Sequence, residues 1–235
     1  MPSLLTGDCS NICSIEHLPS DKRQGMRRCL VRPCRIVPIL VWLVVICGVG
    51  VAPSAGGEGP ACRAAELFAS NPIGDSQLFE LQADVTFALN GTVVTGSTPV
   101  DGVFWSEQLQ QTTDERSREF HLCVVDEPTL HTAAEALRTQ FNQEAVLTFD
   151  YLPRNEANAV TITVPDIDIA RFREAFVADA AAHRRLLGGS VTTTDHALIL
   201  VAGSDDLDIA RRLVGAAGGR WSAATIAYGK RELVT

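Results

Sequence analysis

The apolar positions in the second half of the chain change period from two to three or four and back again, and they do so twice. Strict alternation predicts a strand with one buried face, and spacings of three and four predict an amphipathic helix. Asp166 and Ser204 are predicted to cap the two helices, which the glycine pairs 188–189 and 218–219 are predicted to end. Residues 158–230 are therefore predicted to form a β-α-β-β-α-β unit of the ferredoxin-like type with an antiparallel sheet. Its predicted core consists of Phe172, Phe176, Leu198, Leu200, Leu213 and Ile226.

Residues 78–153 give a less regular version of the same pattern. Apolar and polar residues alternate from Phe79 to Leu89, which predicts a strand. The segment 100–117 fits either a short helix or the first arm of a hairpin, and we favour the helix. A strand, a helix and a strand are predicted to follow at 118–125, 126–143 and 144–152. The predicted fold class is α+β, with two ferredoxin-like halves that follow a linker at 58–77.

An apolar run at 36–52 precedes this region. Six basic residues lie before the run and no charged residue follows it until Glu58, so the positive-inside rule predicts export of everything downstream. The length of the run fits a signal-peptide core or a very short membrane anchor. We expect 26–57 to be that signal peptide or anchor, and 1–25 to be a disordered tail or an over-extended gene start. Membrane contact is expected only through 36–52, if the segment is not cleaved.

The cysteines divide at the same boundary. Five of the seven lie within or before the apolar run, and only Cys62 and Cys123 follow it. Two cysteines in an oxidising compartment are predicted to form one disulfide. Closing a loop of roughly sixty residues stabilises a fold by about 3 to 4 kcal/mol in the chain-entropy model.

Charge restricts the class of partner. After residue 55 the chain holds fourteen basic and twenty-five acidic residues, a net charge of −11. Such a domain repels nucleic acid and anionic lipid, so neither is an expected partner. An envelope protein, a glycan or a small ligand is expected instead, and an open sheet face would also allow a homo-oligomer.

The sequence contains few groups that indicate chemistry. His121 and Cys123 lie two residues apart on one face of the 118–125 strand, which makes them candidates for a base and a thiolate nucleophile. Neighbours on one strand face seldom have that approach geometry, and Cys123 is expected either in the predicted disulfide or as an inert core thiol. No phosphate loop, zinc motif or nucleophile elbow occurs in the sequence. We therefore predict no metal site and no cofactor.

The segment from Ser204 to Ala227, which follows the strand "ALILVAG", resembles half of the peptidoglycan-binding domains of bacterial cell-division proteins. That resemblance implies the same β-α-β-β-α-β order and a glycan ligand, without assigning binding residues. The sequence predicts an exported envelope protein that acts as a non-enzymatic binding module. A peptidoglycan-binding domain and a small exported enzyme with its site at His121 and Cys123 are the alternatives.

Overall fold

The computed structural model describes residues 61–235, so the predicted tail and the predicted leader at 26–57 lie outside the described residues. Within 61–235, no helix is long and apolar enough to cross a bilayer. The strands are β1 Arg63–Ser70, β2 Val93–Ser106, β3 Gln111–Val124, β4 Val146–Tyr151, β5 Ala159–Val164, β6 Gly188–Thr192, β7 Leu198–Gly203 and β8 Thr225–Val234. The α-helices are α1 Ser76–Leu89, α2 Glu127–Gln140, α3 Ile169–Ala178, α4 Ala180–Leu186 and α5 Leu207–Ala216.

The eight strands form one closed antiparallel barrel in the order β1-β3-β2-β6-β7-β5-β8-β4, and β4 pairs with β1 to complete it. The prediction of two ferredoxin-like halves with their own antiparallel sheets is therefore wrong. The ladder between β2 and β6 and the ladder between β4 and β8 join the strands of both halves edge to edge. Closure removes the unpaired backbone N–H and C=O groups that two separate sheets would leave at their edges.

The helices cover the outside of the barrel in two groups. Helices α1 and α2 pack on β1, β3 and β4 through one apolar cluster that includes Phe79, Phe87 and Phe120. Helices α3, α4 and α5 pack on β5, β6 and β7 through a second cluster around Phe172 and Phe176. Because strand side chains alternate between faces, the residues between these core positions point into the barrel.

Helix α1 occupies the segment that was predicted as a strand. Its buried residues are Phe79, Ala83, Thr86 and Phe87, at helical spacing, whereas Leu81, Val85 and Leu89 are exposed. The Asp75 carboxylate accepts hydrogen bonds from the Gln77 and Leu78 amides and so caps the helix. The apolar residues that alternate with polar ones in this segment belong to two faces of the helix, one buried in the core and one exposed, and together they imitate the period of a strand.

The segment favoured as a helix at 100–117 belongs to the long β2–β3 hairpin, in which Val103 lies opposite Asp114. Strand β1 lies where a linker was predicted. Its core face consists of Ala65, Leu67 and Ala69, and alanine gives little indication of a strand. Both differences arise because strand pairing, rather than local propensity, sets the conformation of these segments.

In the second half the elements follow the predicted order with different ends. Asp168, not Asp166, caps α3. Gly188 and Gly189 lie in β6, and the preceding turn is made by Leu187 with φ +66°. A short 3-10 turn over Ser204–Asp206 precedes α5, so Ser204 is not its cap.

Candidate functional site

Polar side chains from β1 and β3 meet on the inner face of the barrel. Leu67 and Phe120 pack beneath the helices, so their neighbours Glu66, Glu119 and His121 point the other way, into the barrel. Glu66 lies directly opposite His121 in the β1–β3 ladder, and Glu119 lies opposite Phe68. The ladder register therefore brings two carboxyl groups and one imidazole together. We call Glu66, Glu119 and His121 the inner cluster.

The inner cluster is tightly spaced. One ligand atom from each of its three side chains lies within 4.8 Å of the others. His121 Nδ1 is 3.7 Å from Glu66 Oε1, and the Tyr151 hydroxyl donates a hydrogen bond to the same oxygen. The second oxygen, Glu66 Oε2, is buried and has no hydrogen-bond partner. This arrangement holds one side of the Glu66 carboxylate and leaves the other free.

Burial and mutual charge change the acidity of the inner cluster. Burial first, and the negative charge of Glu66 second, raise the pKa of Glu119 to about 7, although His121 opposes the shift. The nearby Glu66 carboxylate raises the pKa of His121, although burial opposes the shift. Burial and the bond to Glu66 raise the pKa of the Tyr151 hydroxyl, which keeps it a donor. The cluster can therefore hold or exchange a proton near neutral pH.

Of the two predicted site residues, the structure places only His121 in this cluster. Cys123 forms the predicted disulfide with Cys62, with the two Cα atoms 5.2 Å apart. Its sulfur is not available as a thiolate while that bond is present. The two residues do share a strand face, as the sequence indicated, but the polar partners of His121 are Glu66 and Glu119.

A cavity of about 360 Å³ opens on the inner face of the same strands. Its walls are mainly apolar and include Phe68, Phe104, Leu147, Ile199 and Val201. The polar residues that line it are Ser70, Glu115, Ser117, Ser190, Arg231 and Glu232. A volume and a lining of this kind are typical of small-molecule sites.

Burial changes the acidity of two polar groups that line the cavity. Burial alone raises the pKa of Glu115. Burial also lowers the pKa of Arg231, whose Nη1 donates a hydrogen bond to the Val201 carbonyl oxygen at 2.9 Å. The cavity therefore offers acidic, basic and hydroxyl groups on otherwise apolar walls.

The cavity and the inner cluster are neighbours along β1 and β3. On β3, Ser117 lines the cavity and Glu119 is the next inward-pointing residue; on β1, Phe68 and Glu66 have the same relation. Successive inward residues on a strand are about 7 Å apart. A ligand in the cavity would thus lie close to the inner cluster.

Sequence reasoning missed Glu66, Glu119 and Tyr151. Glu119 shares the strand face of His121 and Cys123, so a polar face opposite the buried face of Phe120 and Leu122 was a usable signal. Glu66 and Tyr151 gave no such signal, because their place depends on the registers of β1 with β3 and β4.

No family model and no curated protein matches the chain. Among solved structures, it is similar to a candidate monooxygenase from Lactobacillus acidophilus NCFM, at 11% identity over 74% of this chain and 96% of that chain, with a TM-score of 0.26. It is also similar to an anthrone oxidase-like protein, at 10% identity over 75% of this chain and 94% of that chain, with a TM-score of 0.22. Likenesses at this level carry no argument about activity.

Proposed function

We propose that this chain is an exported binding protein that holds a small, largely apolar molecule inside its barrel. The observation that carries the proposal is the cavity of about 360 Å³ with apolar walls and a few polar groups. Burying an apolar ligand against such walls favours binding by about 25 cal/mol per Å² of apolar surface removed from water.

Two glycines and a phenylalanine shape the cavity. A side chain at Gly188 would collide with the Phe104 ring and with the Val103 carbonyl oxygen, and a side chain at Gly102 would collide with the same ring. The two positions therefore let Phe104 lie flat against β2 and β6 as a wall of the cavity. A fixed aromatic wall favours a ligand that presents a flat apolar face.

The polar groups define the rest of the ligand. Glu115 accepts hydrogen bonds in its ionised form, and Arg231 has donor N–H groups besides the one bonded to Val201. We therefore infer a ligand with an apolar body and at least one hydrogen-bonding group. Among the partners expected from the sequence, which were an envelope protein, a glycan or a small ligand, this inference favours the small ligand.

Export is the second part of the proposal. It is supported by the charge pattern around 36–52 and by the disulfide between Cys62 and Cys123, since disulfides persist in oxidising compartments. A reporter that is active only outside the cytoplasm, fused after residue 60 so that the barrel is not interrupted, is expected to be active. An inactive but well-expressed fusion would reject export and leave the cavity proposal untouched.

The cavity is tested with an uncharged apolar fluorophore, N-phenyl-1-naphthylamine, titrated into the purified protein. Ser190 is buried and lines the cavity, so Ser190→Leu is expected to narrow it and to reduce the fluorescence increase. The matched control is Thr194→Leu, which adds the same side chain on an exposed turn and is expected to bind the probe normally. Equal probe binding by both variants, with parental melting temperatures, would refute the proposal.

A further inference from the structure

The inner cluster contains more buried negative charge than the surrounding protein neutralises. Glu66 and Glu119 are 7% and 5% exposed. Among residues 61–235, no lysine or arginine forms an ion pair with either carboxylate, and the ion pair of Glu66 is with His121. Buried carboxylates without a cationic partner are costly unless a proton or a bound cation compensates them.

One buried carboxylate oxygen of the inner cluster accepts no hydrogen bond. Glu66 Oε2 is buried without a hydrogen bond, while Glu66 Oε1 is fixed by the Tyr151 hydroxyl. The Tyr151 bond orients the carboxylate, as partners of metal-binding carboxylates commonly do. The free oxygen therefore belongs to a side chain that is already held in place.

We propose that Glu66, Glu119 and His121 bind one divalent transition-metal ion inside the barrel. Each residue contributes a ligand atom within 4.8 Å of the other two, a spacing that one ion can bridge after small side-chain movements. Two carboxylates and one imidazole suit Zn²⁺, Mn²⁺ or Fe²⁺ rather than the all-oxygen sites of Ca²⁺. Three protein ligands also leave coordination positions for water or for a bound molecule.

The barrel provides both rigidity and access for such a site. All three residues lie on paired strands, which hold them more precisely than loops do. The His121 side chain is 40% exposed, so an ion can reach the cluster without opening the barrel. This inference concerns the inner cluster alone and does not depend on a ligand in the cavity.

The test is calorimetric titration of Zn²⁺ into the metal-free full chain at about pH 8, where the ligands are deprotonated most readily. We expect one ion per chain, and we expect His121→Gln and Glu119→Gln each to weaken binding by roughly tenfold or more. His131→Gln is the matched control, because His131 is also an exposed histidine beside a glutamate, 3.9 Å from Glu232. It is expected to leave the affinity unchanged.

A spectroscopic measurement separates this site from adventitious binding. Co²⁺ bound through the cluster is expected to give visible absorption bands that His121→Gln removes and His131→Gln retains. Melting curves in a chelator establish that each variant is folded. The proposal is overturned if the parent binds no Zn²⁺, which would leave Glu66 and Glu119 sharing a proton instead, or if His121→Gln binds as tightly as the parent.

Discussion

Replacing both bridged cysteines by serine tests how the disulfide stabilises the barrel. The bond joins Cys62, just before β1, to Cys123 near the end of β3, and Cys123 lies opposite Ala64 in the ladder. Strand β1 is already held by eight residue pairs with β3 and by four pairs with β4. The bond therefore adds little to the folded barrel and acts mainly on the unfolded chain.

The expected magnitude follows from the loop that the bond closes. The two cysteines are separated by 61 residues in sequence. In the chain-entropy model, closing a loop of that length lowers the free energy of folding by about 4 kcal/mol at 25 °C. The double variant Cys62→Ser/Cys123→Ser is expected to lose about that much, and its folded state is expected to keep the same secondary structure.

Urea denaturation followed by circular dichroism measures the effect. The variant should unfold at a lower urea concentration and with a steeper dependence on urea, because its unfolded state exposes more surface. The parent protein treated with a reductant is the control and should match the variant. A variant that unfolds at the same urea concentration as the oxidised parent would refute the loop-closure reasoning, and one without a folded barrel would show that the bond is needed to form β1.

Three further predictions concern side chains in the core and in the inner cluster. Phe176 is fully buried, so Phe176→Asp should lower the free energy of unfolding by about 4 kcal/mol or prevent folding, and a parental melting temperature would refute its burial. Phe79→Ala should cost about 3 to 5 kcal/mol in urea denaturation, whereas Leu81→Glu on the exposed face of α1 should cost within about 0.5 kcal/mol, and a comparably large loss at both positions would contradict the helix, because a strand would bury both on one face. Because the pKa of Glu119 rises from 4.5 to about 7 on folding, the folded state binds the proton more tightly, and stability is lost as the pH rises through 7. In a chelator, Glu119→Gln should therefore raise the free energy of unfolding at about pH 8 by up to about 3 kcal/mol and flatten its pH dependence, and an unchanged pH dependence would contradict the shifted pKa.

The sequence predicted the elements whose buried faces have one clear period. The C-terminal part of β3, strands β4, β5 and β7, and helices α2 and α5 lie where periodicity indicated them. Five of the six predicted core residues are buried, and Ile226 packs against the same cluster while partly exposed. The disulfide was also confirmed, since only two cysteines remained to pair.

The closure of the barrel could not be predicted from periodicity. Periodicity indicates which face of a strand is buried, but it does not identify the neighbouring strand. Closure depends on the pairing of Val100–Phe104 with Gly188–Thr192 and of Val146–Tyr151 with Gly229–Val234, two ladders between segments distant in sequence. Two separate sheets and one closed barrel give nearly the same pattern along each strand, because in both the face that packs on the helices is apolar and the other face can carry polar residues.

The inner cluster was inaccessible for the same reason, and its position follows from the closure. In an open sheet, Glu66, Glu119 and His121 would lie on a solvent-exposed face, where water stabilises two adjacent carboxylates at little cost. The closed barrel places the same face in its interior, where burial and mutual repulsion raise the pKa of Glu119. A polar strand face that resembles an ordinary solvated surface in the sequence thus becomes a buried cluster with two carboxyl groups, whose charge a proton or a cation would compensate.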